Sequence, residues 1–247
     1  MSAVLLLHGQ PGSARDWNRV CDALGRDVEV LALDRPGWDG RSHATDLEGN
    51  AAAVIAALDA HGVARAVVAG HSFGRAVAAW LAVHHPDRIA ALVLAAPSAN
   101  GRAMYALDRV LAWRVAGAAV VAAAGAALSL PPLRRAIAAR AQLDESYLRG
   151  LGRLLTRPSS WEAFVVEQRA LLDGIPRLEP QLRRISTPTV IVAGAADRIV
   201  PTSAAELLAQ QIPGAELVMV RRAGHLLPHR HAERLAEIIT THVRSSS

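Results

Sequence analysis

A serine framed by two glycines, Gly70-His71-Ser72-Phe73-Gly74, directly follows the apolar run Ala66–Ala69 and precedes a helical stretch, Arg75–His84. G-x-S-x-G at a strand-to-helix turn is the pattern of a nucleophile elbow, in which a turn too tight for side chains on its flanks aims the hydroxyl out of the sheet. A pentapeptide alone arises by chance in a chain rich in glycine and alanine. Two further residues complete a chemistry. Asp197, in Gly194-Ala195-Ala196-Asp197-Arg198, follows the apolar run Thr189–Ala193. His225, in Gly224-His225, follows Glu216–Val220. In an open parallel sheet the loops beyond the carboxyl ends of the strands share one edge, where ligands bind.

Each residue type has a physical reason. A serine hydroxyl is a weak nucleophile at neutral pH, so His225 must take its proton during attack. An imidazole titrates near working pH and can return that proton to a leaving group. Asp197 would fix the tautomer of His225 and stabilise the imidazolium. A tetrahedral oxyanion needs donors already in place. The backbone N–H of Phe73 is one, and the N–H of Gln10, in His8-Gly9-Gln10-Pro11-Gly12 after the first strand, is the second.

Those residues need a frame that brings them together. Val4–Leu7, Val28–Leu33, Ala66–Ala69, Leu92–Ala95, Thr189–Ala193 and Glu216–Val220 read as strands, most of them apolar at consecutive positions. That pattern suits a parallel sheet covered on both faces. Leu47–His61, Arg75–His84 and Ala204–Gln211 read as helices between them, so the fold class is α/β with a mostly parallel open sheet. The alternation stops between Ala99 and Arg183. This interval reads as an inserted helical unit, broken at Pro131-Pro132 and Pro158. Within it, Val115–Leu133 holds nineteen residues without a charge, flanked by arginines. Ala and Gly dominate that run, which favours a lid helix, with an interfacial helix on anionic lipid as the alternative.

Composition bounds the function classes. The chain has 247 residues, 51% of them apolar, enough for a sizeable core. One cysteine, Cys21, excludes an intrachain disulfide and a thiolate metal cluster, and it reads as a plain helix residue. The start, Met1-Ser2-Ala3-Val4, lacks a basic signal-peptide region, and a cytoplasmic location is expected. Net charge is +5, and every one of the 27 basic residues is arginine. Nine arginines against three carboxylates fall between Arg102 and Arg157, and the rest of the chain is close to neutral. No aromatic-interleaved basic stripe accompanies them, so no nucleic-acid partner is expected. His225, His229 and His231 lack a carboxylate at ligand spacing, and no metal is expected.

With these motifs in hand, the sequence resembles the α/β-hydrolase fold superfamily, in the serine-nucleophile branch with an H-G-x-P oxyanion loop and a helical cap. His8-Gly9-Gln10-Pro11 matches that loop. Asp34-Arg35-Pro36-Gly37-Trp38-Asp39-Gly40-Arg41-Ser42 matches the family's D-x-P/R-G-x-G-x-S stretch, and Gly224-His225 its final G-H motif. The resemblance implies cofactor-free hydrolysis of an ester, thioester, amide or related bond of a small-molecule substrate. It places a core at residues 1–97 and 183–247 and a cap at 98–182. The expected reaction is hydrolysis of a small or medium apolar ester or thioester through an acyl-Ser72 intermediate. Perhydrolase or haloperoxidase chemistry, carbon–carbon bond hydrolysis and non-catalytic ligand binding are the alternatives. Val200 and Leu226, beside the triad loops, are expected in the pocket wall, with Trp161, Phe164, Tyr105 and Trp113 from the insert either lining it or packing the insert on itself. Asp34 is expected to serve structurally and His71 to pack.

Three features depart from the family. Arg75 stands where relatives often carry a second glycine, and its long side chain needs a partner or a way out. The family's first hairpin is missing, so Val28–Leu33 becomes an apolar sheet edge, covered by a homodimer or by chain preceding Met1. Finally, serine replaces the aspartate nucleophile of dehalogenase-like relatives.

Overall fold

The computed structural model describes residues 3–26, 28–97 and 106–245. The chain runs β1 (Ala3–Leu7), α1 (Asn18–Leu24), β2 (Val30–Leu33), α2 (Leu47–Ala60), β3 (Ala66–His71), α3 (Phe73–His84) and β4 (Ile89–Ala95). Five helices then interrupt the alternation: α4 (Ala106–Leu111), α5 (Arg114–Ser129), α6 (Pro131–Ala141), α7 (Glu145–Leu155) and α8 (Pro158–Leu178). The sheet resumes with β5 (Thr189–Gly194), α9 (Thr202–Gln211) and β6 (Glu216–Val220), and the chain closes with α10 (Leu227–Arg230) and α11 (Ala232–Ser245). The six strands are all parallel, in the order β2-β1-β3-β4-β5-β6.

Continuous apolar strands follow from burial on both faces. Leu5, Leu7 and Val68 pack toward α2, α3 and α8, while Val4, Leu6, Val67 and Ala69 pack toward α1 and α11. Alternate side chains of one strand thus feed two separate cores. β2 lies at a sheet edge, as the resemblance implied, and its four residues are only half buried.

Two helical stretches differ from the sequence reading. Helix α3 begins at Phe73, two residues earlier than Arg75, because the Ser72 turn leads straight into it. The charge-free run is not one helix. Pro131-Pro132 cannot supply the N–H groups that would continue α5, so α6 restarts at Pro131 and turns by 99°. Helix α8 continues past Pro176 to Leu178, although a proline there removes one backbone hydrogen bond. Among the described residues no single helix is long and apolar enough to cross a membrane.

Candidate active site

The elbow is built by steric necessity. Ser72 has φ 52° and ψ −113°, a left-handed conformation that is strained for any residue but glycine. Such a residue costs about 1–3 kcal/mol and persists only where its surroundings hold it. Here its N–H donates to the Ala95 carbonyl at 3.0 Å, and its own carbonyl accepts from the Arg75 N–H at 3.1 Å. The flanking glycines admit nothing larger. A Cβ on Gly70 would fall 2.4 Å from the Gly74 carbonyl oxygen, and one on Gly74 would fall 2.3 Å from that of Leu7. Phe73 is the first residue of α3, so its N–H has no acceptor within the helix. Gln10 follows β1, the neighbouring strand.

Beyond β5 and β6 the loops are laced together. Ala195 N–H donates to Val220 O at 3.0 Å, and Ala196 N–H to Ala223 O at 2.8 Å. They bring His225 against Asp197, Nδ1 to Oδ2 at 2.9 Å. The other carboxylate oxygen accepts the N–H of Ile199 at 2.8 Å and of Val200 at 3.0 Å. Burial pushes the Asp197 carboxyl up, but the His225 bond and the two N–H donors outweigh it and hold the group below its usual range. An ionised Asp197 requires Nδ1 of His225 to carry a proton, which leaves Nε2 free to accept one.

His71 ties the serine to this pair. Its Nε2–H donates to the His225 carbonyl at 2.9 Å, and the two rings lie 5.1 Å apart. That carbonyl also accepts the Leu227 N–H at 2.9 Å. Burial, aided by the neighbouring His225, pushes His71 down to about 3, so its ring is neutral at working pH. The residue expected only to pack therefore anchors the histidine loop beside Ser72.

A second network lies under the His8–Pro11 loop. Arg35, 2% exposed, donates Nε to His8 O at 3.1 Å and Nη2 to Gly9 O at 2.9 Å. Its Nη1 pairs with Glu167 of α8, itself fully buried, and its guanidinium stacks on the Phe73 ring at 4.4 Å. Burial lowers Arg35 to about 9, against the pull of Asp16 and Asp34, and it stays charged at neutral pH. His8, buried and pushed well below its usual value, accepts the Arg35 N–H on Nε2 and donates Nδ1–H to Gly9 O.

The remaining expected residues separate. Val200 is buried and lines a small crevice with Asp197, and Leu226 is half buried next to His225. Phe164 and Trp161 join the apolar cluster inside the insert, where Trp161 Nε1–H donates to Leu155 O at 2.6 Å. Trp113 faces solvent, 69% exposed. Tyr105 lies outside the described residues. Asp34 accepts the Ala14 N–H at 2.7 Å, and Cys21 lies in α1. Arg75 is buried in a crevice with Ile175, Leu178, Glu179, Leu182 and Gln211. A cleft of about 380 Å³ between the loops after β1 and β2 and α7 is lined by Arg15, Arg153, Arg157, Trp38, Asp34 and Asp39. An adjoining one of about 420 Å³ holds Asp16, Tyr147 and His229. Neither cleft is lined by Ser72, Asp197 or His225.

Ser72, on a strained elbow, is thus linked through its neighbour His71 to the loop of the hydrogen-bonded His225–Asp197 pair. The sequence profile described as the alpha/beta hydrolase family matches residues 4–238. The chain belongs to the alpha/beta hydrolase family. It is 27% identical over 256 residues to a 2-hydroxy-6-oxononadienedioate/2-hydroxy-6-oxononatrienedioate hydrolase of Burkholderia vietnamiensis, covering 98% of this chain and 87% of that one. A solved hydrolase of Pseudomonas aeruginosa superposes with a TM-score of 0.76 at 28% identity, covering 98% of this chain and 89% of the other. The enol-lactonase of Burkholderia xenovorans superposes at 0.78 with 20% identity over 98% and 91%, a likeness of fold alone.

Proposed function

We propose that this alpha/beta hydrolase is a serine hydrolase cleaving a carboxylic ester or thioester of a small or medium apolar substrate. The observation that carries the reading is the His71 bridge, which fastens the His225–Asp197 pair to the residue preceding a strained Ser72. Ser72 Oγ attacks the carbonyl carbon as His225 Nε2 takes its proton. The oxyanion accepts the N–H groups of Gln10 and Phe73, each worth about 3 kcal/mol in the transition state. Collapse expels the alcohol or thiol, which leaves with the proton from His225, and water then releases the acid from acyl-Ser72 by the same steps. The helical insert, residues 98–182, acts as the cap over the rim, with Val200 and Leu226 in the pocket wall. No step needs a cofactor.

The test is a fluorophosphonate probe together with p-nitrophenyl ester turnover. Wild type is expected to label and turn over, and Ser72→Ala to do neither. Equal labelling of both proteins removes Ser72 as the nucleophile.

A second reading, carbon–carbon bond hydrolysis of a diketone, is favoured by the name of the Burkholderia vietnamiensis relative. Faster turnover of a 2-hydroxy-6-oxo-dienoate than of any p-nitrophenyl ester, with Ser72 still required, decides for it.

A further inference from the structure

Six of the eight large apolar side chains exposed among the described residues fall in one short stretch of the insert: Val110, Trp113, Val115, Val120, Leu130 and Leu133. Helix α5 explains the clustering. It buries Gly117, Val121, Gly125 and Leu128 against its neighbours, one stripe at helical spacing. The opposite face, which water should line, carries Val115, Ala119, Ala123 and Ala126, all exposed, and no charge. Val115 alone is 82% exposed. A helix apolar all round is ordinarily enclosed, so an uncovered face of this kind marks a contact surface.

The occupant follows from charge. From Arg109 to Leu143 the chain carries five arginines and no acidic residue. Four of them, Arg109, Arg114, Arg135 and Arg140, are exposed, Arg135 also lying 3.8 Å from Glu145, while Arg134 is buried and paired with that carboxylate at 3.0 Å. A two-fold pairing of this face with its own copy would set arginine against arginine, since such interfaces are self-complementary. Anionic headgroups match it instead. Trp113, immediately before Arg114, is the amphipathic ring that settles at the headgroup level. With 16 residues, α5 reaches about 24 Å, short of the hydrocarbon core, and the 99° turn at Leu130 keeps α5 and α6 from forming one span.

We propose that the outer face of α5, with the α5–α6 corner, docks the protein on an anionic bilayer surface, lying in the interface without crossing it. This proposal is independent of the assigned reaction. The test is sedimentation with phosphatidylcholine vesicles, with and without one third phosphatidylglycerol, alongside tryptophan emission. Wild type is expected to sediment only with the anionic vesicles, with an emission blue shift that Trp113→Phe removes. Val115→Glu with Val120→Glu abolishes sedimentation, and replacing Arg135 and Arg140 by Gln weakens it about five-fold for each arginine. Urea midpoints and near-ultraviolet circular dichroism check that these surface variants remain folded. Absence of vesicle binding overturns the proposal, as does binding undiminished in the folded double glutamate variant. A wild-type dimer that the glutamates dissociate, without vesicle binding, assigns the face to a second copy and overturns it equally.

Discussion

Asp197 divides its two oxygens between a loop and a histidine, so its removal acts on two levels. Asp197→Asn presents an amide to Nδ1 of His225 and favours the wrong tautomer. Its kcat for a p-nitrophenyl ester is expected to fall by about four orders of magnitude with KM little changed. Stopped-flow or long-time assays against the Ser72→Ala background check this. Asp16 makes a different kind of prediction. It is buried, accepts the Tyr147 hydroxyl at 3.0 Å, and is raised by burial from 3.8 to about 7. The folded state therefore holds a proton that the unfolded chain loses above pH 3.8. Its contribution is complete below that value and is lost as pH rises through about 7. His71 and His229, depressed by burial to about 3 and about 4, act in the opposite sense, their contribution fading as pH falls below 6.5. The comparison must therefore be differential. Urea midpoints of Asp16→Asn, relative to wild type, should improve from acid to alkaline pH, and a pH-independent difference defeats the assignment. At this scale the candidate residues Ser72, Asp197 and His225 were legible as loop positions because glycine punctuation and chain order mark them, and two of them meet in the His225–Asp197 bond. Arg35 and Glu167 were not paired, since 132 positions separate them. A trace existed, however: Glu167 falls on the same helical stripe as Ser160, Phe164 and Gly174, where a lone carboxylate calls for a buried cation.

Helix α8 is the element on which two regions depend. It contributes Glu167 to Arg35, and Arg35 in turn holds the carbonyls of His8 and Gly9. Glu167→Ala leaves a guanidinium buried without its carboxylate, an arrangement that costs about 3–5 kcal/mol. Replacing both partners by apolar residues, Arg35→Met with Glu167→Leu, is expected to restore much of the urea midpoint, while ester turnover stays impaired because the oxyanion loop has lost its support. Strands and helices of the sheet were readable because burial on both faces writes continuous apolar runs. The insert was readable only as helical. Its boundaries depend on Pro131 and Pro158 as helix starts, and Pro176 shows that the same residue type can sit inside one. Where Trp161 and Phe164 point is set by packing between helices, which spacing along the chain does not encode.

Across the whole molecule, charge and apolar surface are distributed unevenly. The sheet and its flanking helices are close to neutral, while the insert carries the positive excess and most of the exposed large apolar side chains. Salt should therefore act on the two parts differently: attachment to anionic vesicles falls steeply as sodium chloride rises, whereas turnover of a small neutral ester barely changes. A parallel salt response of the two would show that attachment and turnover depend on the same charges.

The Arg35–Glu167 clasp also restricts how the molecule can open. A guanidinium sealed from water grips a strand loop with one edge and the last helix of the insert with the other. That helix is thereby a fixed post. Any loosening of the insert is therefore expected in the helices before the Thr156–Pro158 joint, with amide exchange faster in α5–α7 than in α8.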